Sequence, residues 1–240
     1  MIEVSQLNKN FGSKSVVKDL SFTVKKGEVL GFLGPNGAGK STTMRMVTGF
    51  IAPTSGDVKI CDVSVVDHPK QAKSYIGYLP ESAPLYDDMT VRDFLKFCSQ
   101  MRGLRGAKAQ EAVTRSIETC FLEKVSSQSI GTLSKGYRHR TCLAQSLLHD
   151  PNVLILDEPT DGLDPNQKHE VRKLIKKLGE EKAILFSTHI LEEVDAACSR
   201  AVIIDQGTIL ADGTPEQLRK QSGSDSLHDL FRNLTTKETE

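Results

Sequence analysis

The stretch Gly34–Ser41, GPNGAGKS, constrains this chain more than any other. It fits G-x-x-x-x-G-K-[ST] and lies between an apolar run, EVLGFL, and a segment able to form a helix. The glycines let the backbone curl so that several N–H groups face one anion, and the helix start adds its own unpaired N–H groups. Lys40 places a cation at the β and γ oxygens of a nucleotide, and the Ser41 hydroxyl can ligate Mg²⁺. A chance glycine-rich turn has no need of a strand before it and a helix after it. The pattern therefore asks for a buried strand, a phosphate-holding loop and a helix, in that order.

Three further stretches carry chemistry. VLILDEPT, residues 153–160, ends an apolar strand with adjacent acids. An aspartate at a strand's carboxyl end can hold Mg²⁺ through water, which assigns Asp157 that role, and Glu158 beside it suits orienting or deprotonating an attacking water. The competing view is that paired acids merely punctuate the strand. His189 follows AILFST and precedes a helix, so it belongs to the same sheet edge and can donate to a γ-phosphate oxygen. A lone histidine is as readily a structural residue. TLSKGYRHR, residues 132–140, reads as a turn around Gly136 entering a helix, with Ser134 and Gly136 as a second anion grip.

Around these motifs the texture changes twice. Residues 2–30 alternate and turn often, as short strands with hairpins and a turn at Lys26-Gly27. A helix is expected from Ser41 to Phe50, then strands over Asp57–Cys61 and YIGYL. From Pro84 to Asp150 the pattern is helical, with Val91, Phe94, Leu95, Cys98 and Met101 on one face and AKAQEAVTRSIETCFL as a second helix. After Pro151 strands and helices alternate, closing with a hairpin at Gln206-Gly207, a helix capped by Thr214 with Pro215 at its first position, a linker SGSDS and a last helix SLHDLFRNL. Short apolar strands between helices imply a mostly parallel sheet covered on both faces.

Composition narrows the partners. The 240 residues suit one substantial domain or a core with an insertion, and Lys plus Arg and Asp plus Glu both number 31. A polyanion partner calls for basic stripes. RKLIKKL from Arg172 reads instead as a solvated helix face, opposite a stripe of Val171, Leu174, Ile175 and Leu178. Five scattered cysteines and the absence of a signal peptide at MIEVSQLNKN point to free thiols in a reducing cytosol. The apolar runs are too short to cross a bilayer, so the chain is expected to be soluble, with any membrane link made through a partner.

Together these residues resemble the ATP-binding subunit of ABC transporters, of bacterial exporter type, over about residues 2–215. The resemblance implies an α/β fold: a P-loop NTPase core with a mostly parallel sheet, an N-terminal antiparallel β subdomain and an inserted α-helical subdomain. It divides the chain into an ATPase domain over 1–220, with a catalytic core at 1–81 and 151–220 and a helical subdomain at 82–150, followed by a linker and short helix at 221–240. It implies ATP and Mg²⁺ as ligands. Phe11 in KNFGS falls where the family stacks an aromatic on adenine, and Gly34, Pro35, Asn36, Gly37, Ala38, Gly39, Lys40, Ser41 and Thr42 form the Walker A loop. Glu81 in YLPE stands at the Q-loop position, where glutamine is commoner, and joins Ser41 and Asp157 toward the metal. LSKGY is the signature, with Lys135 and Tyr137 replacing glycine and glutamine. Glu158 and His189 fall at the catalytic positions, as does Glu81, whose place in the family touches both Mg²⁺ and the attacking water, and GLDP supplies Asp164 to the nucleotide.

The resemblance also explains the second grip. In this family two subunits face each other head to tail, so Ser134 and Gly136 of one copy close over the γ-phosphate held by Lys40 of the other. A helix N-terminus favours an anion by roughly 0.3–1 kcal/mol when exposed and about 2 when partly buried. ATP then favours the closed pair and hydrolysis releases it. The implied partners are a second copy or a similar ATPase subunit and an integral-membrane permease, without nucleic acid. The implied place is cytoplasmic, peripheral on the inner face of the cell membrane. Leu85 and Tyr86, in PESAPLYDDMTV, are candidates for the permease contact or equally for capping the subdomain's core. Lys135 is expected in ordinary helical or extended geometry, because a non-glycine in a left-handed turn costs about 1 kcal/mol or more. A soluble ABC-type ATPase acting on nucleic acid or ribosomes would carry two cassettes or a long coiled coil, and this chain has one cassette and no sustained heptads. A small P-loop kinase or GTPase leaves LSKGY without a purpose, and the guanine-reading N-K-x-D is absent.

Overall fold

The computed structural model describes residues 1–82, 84–223 and 226–235. The alternating start of the chain pairs as an antiparallel sheet. β1 (Ile2–Phe11) turns at Gly12 into β2 (Lys14–Val24), β4 (Ser55–Ile60) lies on the other edge of β1, and β5 (Val63–Ser64) is outermost. The second sheet has six strands in the order β10-β9-β3-β8-β7-β6. β3 (Val29–Leu33), β6 (Ile76–Leu79), β7 (Val153–Asp157), β8 (Ala183–Thr188) and β9 (Arg200–Asp205) run parallel, and only β10 (Thr208–Gly213) is antiparallel. Every residue of β3, β7 and β8 is buried, as expected of strands covered on both faces.

Helices fill the crossovers. α1 (Lys40–Val47) follows the glycine loop, and α2 (Pro69–Ser74) follows β5. α3 (Val91–Met101), α4 (Gly106–Thr119) and α5 (Lys135–Leu147) form the helical insertion. α6 (Pro165–Gly179), α7 (Leu191–Ala197), α8 (Pro215–Gln221) and α9 (Leu227–Thr235) complete the described chain. The period-2 alternation of β7 sorts the interior. Leu154 and Leu156 join α3–α6 and Phe186 in one core, while Val153 and Ile155 join α1 and the antiparallel sheet in another. A third, smaller cluster ties α7, α8 and α9 to β9 through Val194, Ile203, Leu218 and Leu230.

Most of the expected elements form. α1 ends at Val47 rather than Phe50, whose ring is 73% exposed. Met101 does not join the buried face of α3. It is the last residue of the helix and 73% exposed, because the chain turns away at Gly103. Gly136 does not form a turn: Ser134 caps α5, and Lys135 and Gly136 lie in its first turn. Lys135 thus has the helical geometry expected of it. The stripe on α6 is as read, with Val171, Leu174 and Ile175 buried and Leu178 partly so. The linker SGSDS falls partly on Ser224 and Asp225, outside the described residues. Among the described residues all five cysteines are free thiols, and no helix is long and apolar enough to cross a membrane.

Candidate functional site

Parallel strands aim their carboxyl ends at one edge of the sheet, and three of them deliver the chemistry there. β3 runs into the glycine loop, β7 ends on Asp157, and β8 ends one residue before His189. The Gly34 N–H donates to the Thr188 carbonyl at 3.3 Å, which ties the loop to the end of β8. Gly39, at the start of α1, has φ of 104°, a left-handed conformation open to glycine at little cost. A Cβ there would also lie 2.9 Å from the Val16 carbonyl of β2.

Lys40 is 6% exposed and its ammonium is held from three sides. It donates to the Gly34 carbonyl at 2.8 Å and the Pro35 carbonyl at 3.2 Å, and lies 3.6 Å from Glu158 Oε1. The other carboxylate oxygen of Glu158 is 3.0 Å from His189 Nδ1. The Ser41 hydroxyl donates to Asp157 Oδ1 at 3.3 Å, and Asp157 is 1% exposed. A hydroxyl and a carboxylate so close are hard oxygen donors of the kind Mg²⁺ takes, and Glu81 faces the same cleft. The donor set fits the ion.

The cleft encloses about 600 Å³. Asn36, Gly37, Gly39, Lys40, Ser41, Thr42, Glu81 and Glu158 line it, as the motifs led one to expect. Lys14, Lys18 and Gln206 also line it and were not foreseen. β2 and the β9–β10 turn bring them in: the Gly207 N–H donates to the Ala38 carbonyl at 3.0 Å and the Lys18 N–H to the Gly207 carbonyl at 2.8 Å. No local motif marks residues from such distant stretches. Ser187 was also missed, although the hydroxyl pair before His189 was visible in FSTH.

Asp157 and His189 meet the cleft through Ser41 and Glu158, whereas Phe11, Ser134, Gly136 and Asp164 lie away from it. Phe11 ends β1 with its ring 52% exposed and the Lys9 ammonium 5.0 Å above it. Ser134 accepts from the Tyr137 N–H at 3.4 Å as the cap of α5, and Asp164 accepts from the Gln167 N–H at 3.0 Å as the cap of α6. Gly136 is packed against Gln167. Within one copy, then, the signature helix does not reach the Lys40 cleft. Of the two residues in the junction before α3, Leu85 packs inward on the helical core, and Tyr86 is 58% exposed, edge-on to Phe94 and Phe97. A groove of about 500 Å³ opens beside that junction, lined by Phe50, Tyr78, Pro84 and Arg102.

The chain is similar to known proteins over nearly its whole length. Residues 17–161 match the family model described as ABC transporter. The chain is 36% identical over 230 residues to the probable multidrug ABC transporter ATP-binding protein YbhF of Escherichia coli, covering 95% of this chain and 40% of that protein. It is 39% identical over 218 residues to the Nod factor export ATP-binding protein I of Burkholderia orbicola, covering 90% of this chain and 72% of that one. A solved structure described as the ATP binding subunit of an ABC transporter superposes with a TM-score of 0.88 at 30% identity, over 98% of this chain and all of that one. With the family model matched over more than half of its length and relatives matched over nine-tenths of it, the chain belongs to the ABC transporter family.

Proposed function

We propose that this chain is the ATP-hydrolysing motor subunit of a transporter, binding MgATP and driving a separate membrane permease, with export as the direction. One observation carries the proposal: Lys40, Ser41 and Glu158 line one cleft, with Asp157 3.3 Å from the Ser41 hydroxyl and His189 3.0 Å from Glu158. Lys40, assisted by Lys14 and Lys18, meets the phosphate charge. Ser41 and Asp157, with Glu81, hold Mg²⁺, which when bound offsets charge on the phosphate oxygens. Glu158 orients the attacking water and takes its proton, and His189 fixes the carboxylate that does so.

The reading includes a pair of copies, or of this chain with a similar subunit. Ser134 and Gly136 lie off the cleft of their own copy, and α5 offers free N–H groups at its start for a phosphate held elsewhere. We divide the chain into a catalytic core at 1–81 and 151–220 and a helical subdomain at 82–150, with Phe11 and Asp164 contributing to the nucleotide in the closed pair. The groove at Phe50, Tyr78 and Arg102, with Tyr86 beside it, suits a short permease segment and would hold the subunit at the inner face of the membrane. Export as the direction is supported by the printed name of the Nod factor export relative.

Lys40→Ala should weaken ATP binding at least tenfold, because charge-assisted bonds to phosphate are about 1.5–3 kcal/mol each. Glu158→Gln should keep ATP binding, lower turnover at least a hundredfold and accumulate a nucleotide-bound pair in gel filtration. Adding Ser134→Arg should abolish that pair while leaving ATP binding intact. Turnover near wild type in Glu158→Gln would remove Glu158 as the base.

A further inference from the structure

We propose that Ser187 is the positioning residue that sets the Mg²⁺-holding Asp157 and the water-orienting Glu158 relative to each other, an inference that rests on the ATPase reading above. Ser187 is fully buried near the end of β8, directly opposite Asp157 in the β7–β8 register. Its hydroxyl donates to Asp157 Oδ1 at 2.6 Å and accepts from the Glu158 N–H at 3.0 Å. One proton and one lone pair are thus both used, each on a different acid. The group is a two-ended strut between neighbouring residues with different tasks.

Glu158 needs such a strut. Its φ is 50°, a left-handed conformation that a side chain with a Cβ adopts only under constraint from its surroundings. That conformation sends the Glu158 carboxylate toward Lys40 and His189 rather than along the line of β7. The constraint on its N–H side is Ser187. The same hydroxyl fixes the rotation of Asp157, since both hydrogen bonds to that carboxylate, from Ser41 and Ser187, fall on Oδ1. Groups that orient a metal-holding residue commonly change metal affinity or activity by 10–100-fold when removed.

The next residue works away from the cleft. Thr188 donates to Glu193 Oε2 at 2.7 Å and accepts from the Ile190 N–H at 3.0 Å. Glu193 is 1% exposed, is bonded by the Thr160 hydroxyl and lies 3.6 Å from Arg172. This second set holds the chain on either side of His189 and shares no atom with Asp157 or Glu158. Among the described residues Ser187 is the one whose side chain joins β8 to both acids.

The test compares Ser187→Ala, Ser187→Cys and wild type in three measurements. ATP binding in excess EDTA reports the Lys40 loop without metal. Mn²⁺ affinity in the presence of a non-hydrolysable ATP analogue, read by electron paramagnetic resonance, reports the Asp157 arm. Turnover against ATP concentration reports the Glu158 arm. Ser187→Ala is expected to bind ATP in EDTA within twofold of wild type, bind Mn²⁺ at least fivefold more weakly and lose at least tenfold in kcat with KM for ATP changed less than threefold. Ser187→Cys, of nearly the same volume with a weaker donor, should fall between. Mn²⁺ affinity and kcat within twofold of wild type in Ser187→Ala overturn the proposal. So does a parallel loss of ATP binding in EDTA, which marks Ser187 as a packing residue only. Retention of ATP binding by Lys40→Ala in the same assay would instead strike the underlying ATPase reading.

Discussion

At the residue scale the site is a set of competing charges held by short contacts. Lys40 is the buried cation, and the acids around it differ in their freedom. Glu158 is fixed by Lys40 and His189, and Asp157 by Ser41 and Ser187, whereas Glu81 is exposed and forms no hydrogen bond or ion pair among the described residues. Glu81 is therefore the acid most able to follow the metal. A carboxylate at this point adds one negative charge to the ligand set, which in a wet cleft is about 1 kcal/mol, or about fivefold in affinity. Glu81→Gln should raise the half-saturating Mg²⁺ concentration for turnover by about that factor and shift the Mn²⁺ curve by a different one, since the two ions differ in their demand for oxygen charge. Superimposable metal titrations for the two proteins would show that Glu81 does not reach the ion. Lys40, Ser41, Asp157 and Glu158 were legible as candidates because each sits in a motif contiguous along the chain, and His189 because it directly follows an apolar strand at the same sheet edge. Lys14, Lys18 and Gln206 were not, because only the folding of β2 and the β9–β10 turn onto the loop makes them neighbours of Lys40.

At the element scale the same rule decides what could be read. β3, β7 and β8 are uninterrupted apolar runs ended by chemistry-bearing residues, and α6 has a full stripe with a capping Asp164 and Pro165 at its start. α2 and β5 span six and two residues, too few to show a period, and went unread. The face of α3 was read one turn too far because periodicity says nothing about where the neighbouring helix stops. α5, capped by Ser134 and carrying Gly136 in its first turn, packs across β6 at Gly77. A Cβ at Gly77 would lie 2.4 Å from the Ser146 carbonyl of α5, 2.7 Å from Leu154 and 2.9 Å from Pro151. The first is backbone and the last a proline ring, neither able to swing aside, so Gly77→Ala must push α5 off the sheet. Overpacking of this kind costs about 1–3 kcal/mol. The urea midpoint should fall accordingly, and an unchanged midpoint would mean that α5 shifts without resistance.

At the scale of the whole molecule the architecture followed from the order of strands and helices, with a parallel sheet, an antiparallel sheet and a helical insertion each forming where the texture of the sequence changed. What the order could not reveal is how the helical insertion responds to acid. His139 on α5 is 6% exposed, and neither ring nitrogen has a partner among the described residues. Burial, with help from the nearby Lys135 and against the pull of Asp161, lowers its pKa to about 4. His149, just beyond the helix, is lowered to about 4 by burial and Arg102, although its Nε2 meets the Ile76 carbonyl at 3.0 Å. Above about pH 6.5 both imidazoles are neutral whether the chain is folded or not, and they make no pH-dependent contribution. Between about 6.5 and 4 the unfolded chain takes up protons that the folded chain refuses, so stability falls as pH falls and levels off below 4. One such group shifts stability by about 1.4 kcal/mol per pH unit within that window, or roughly 2–3 kcal/mol by pH 4.5. Urea unfolding at pH 7 and pH 4.5 should therefore show a smaller loss for His139→Gln than for wild type, by about that amount. Equal losses in the two proteins would mean that His139 takes up its proton as readily in the folded chain as in the unfolded one.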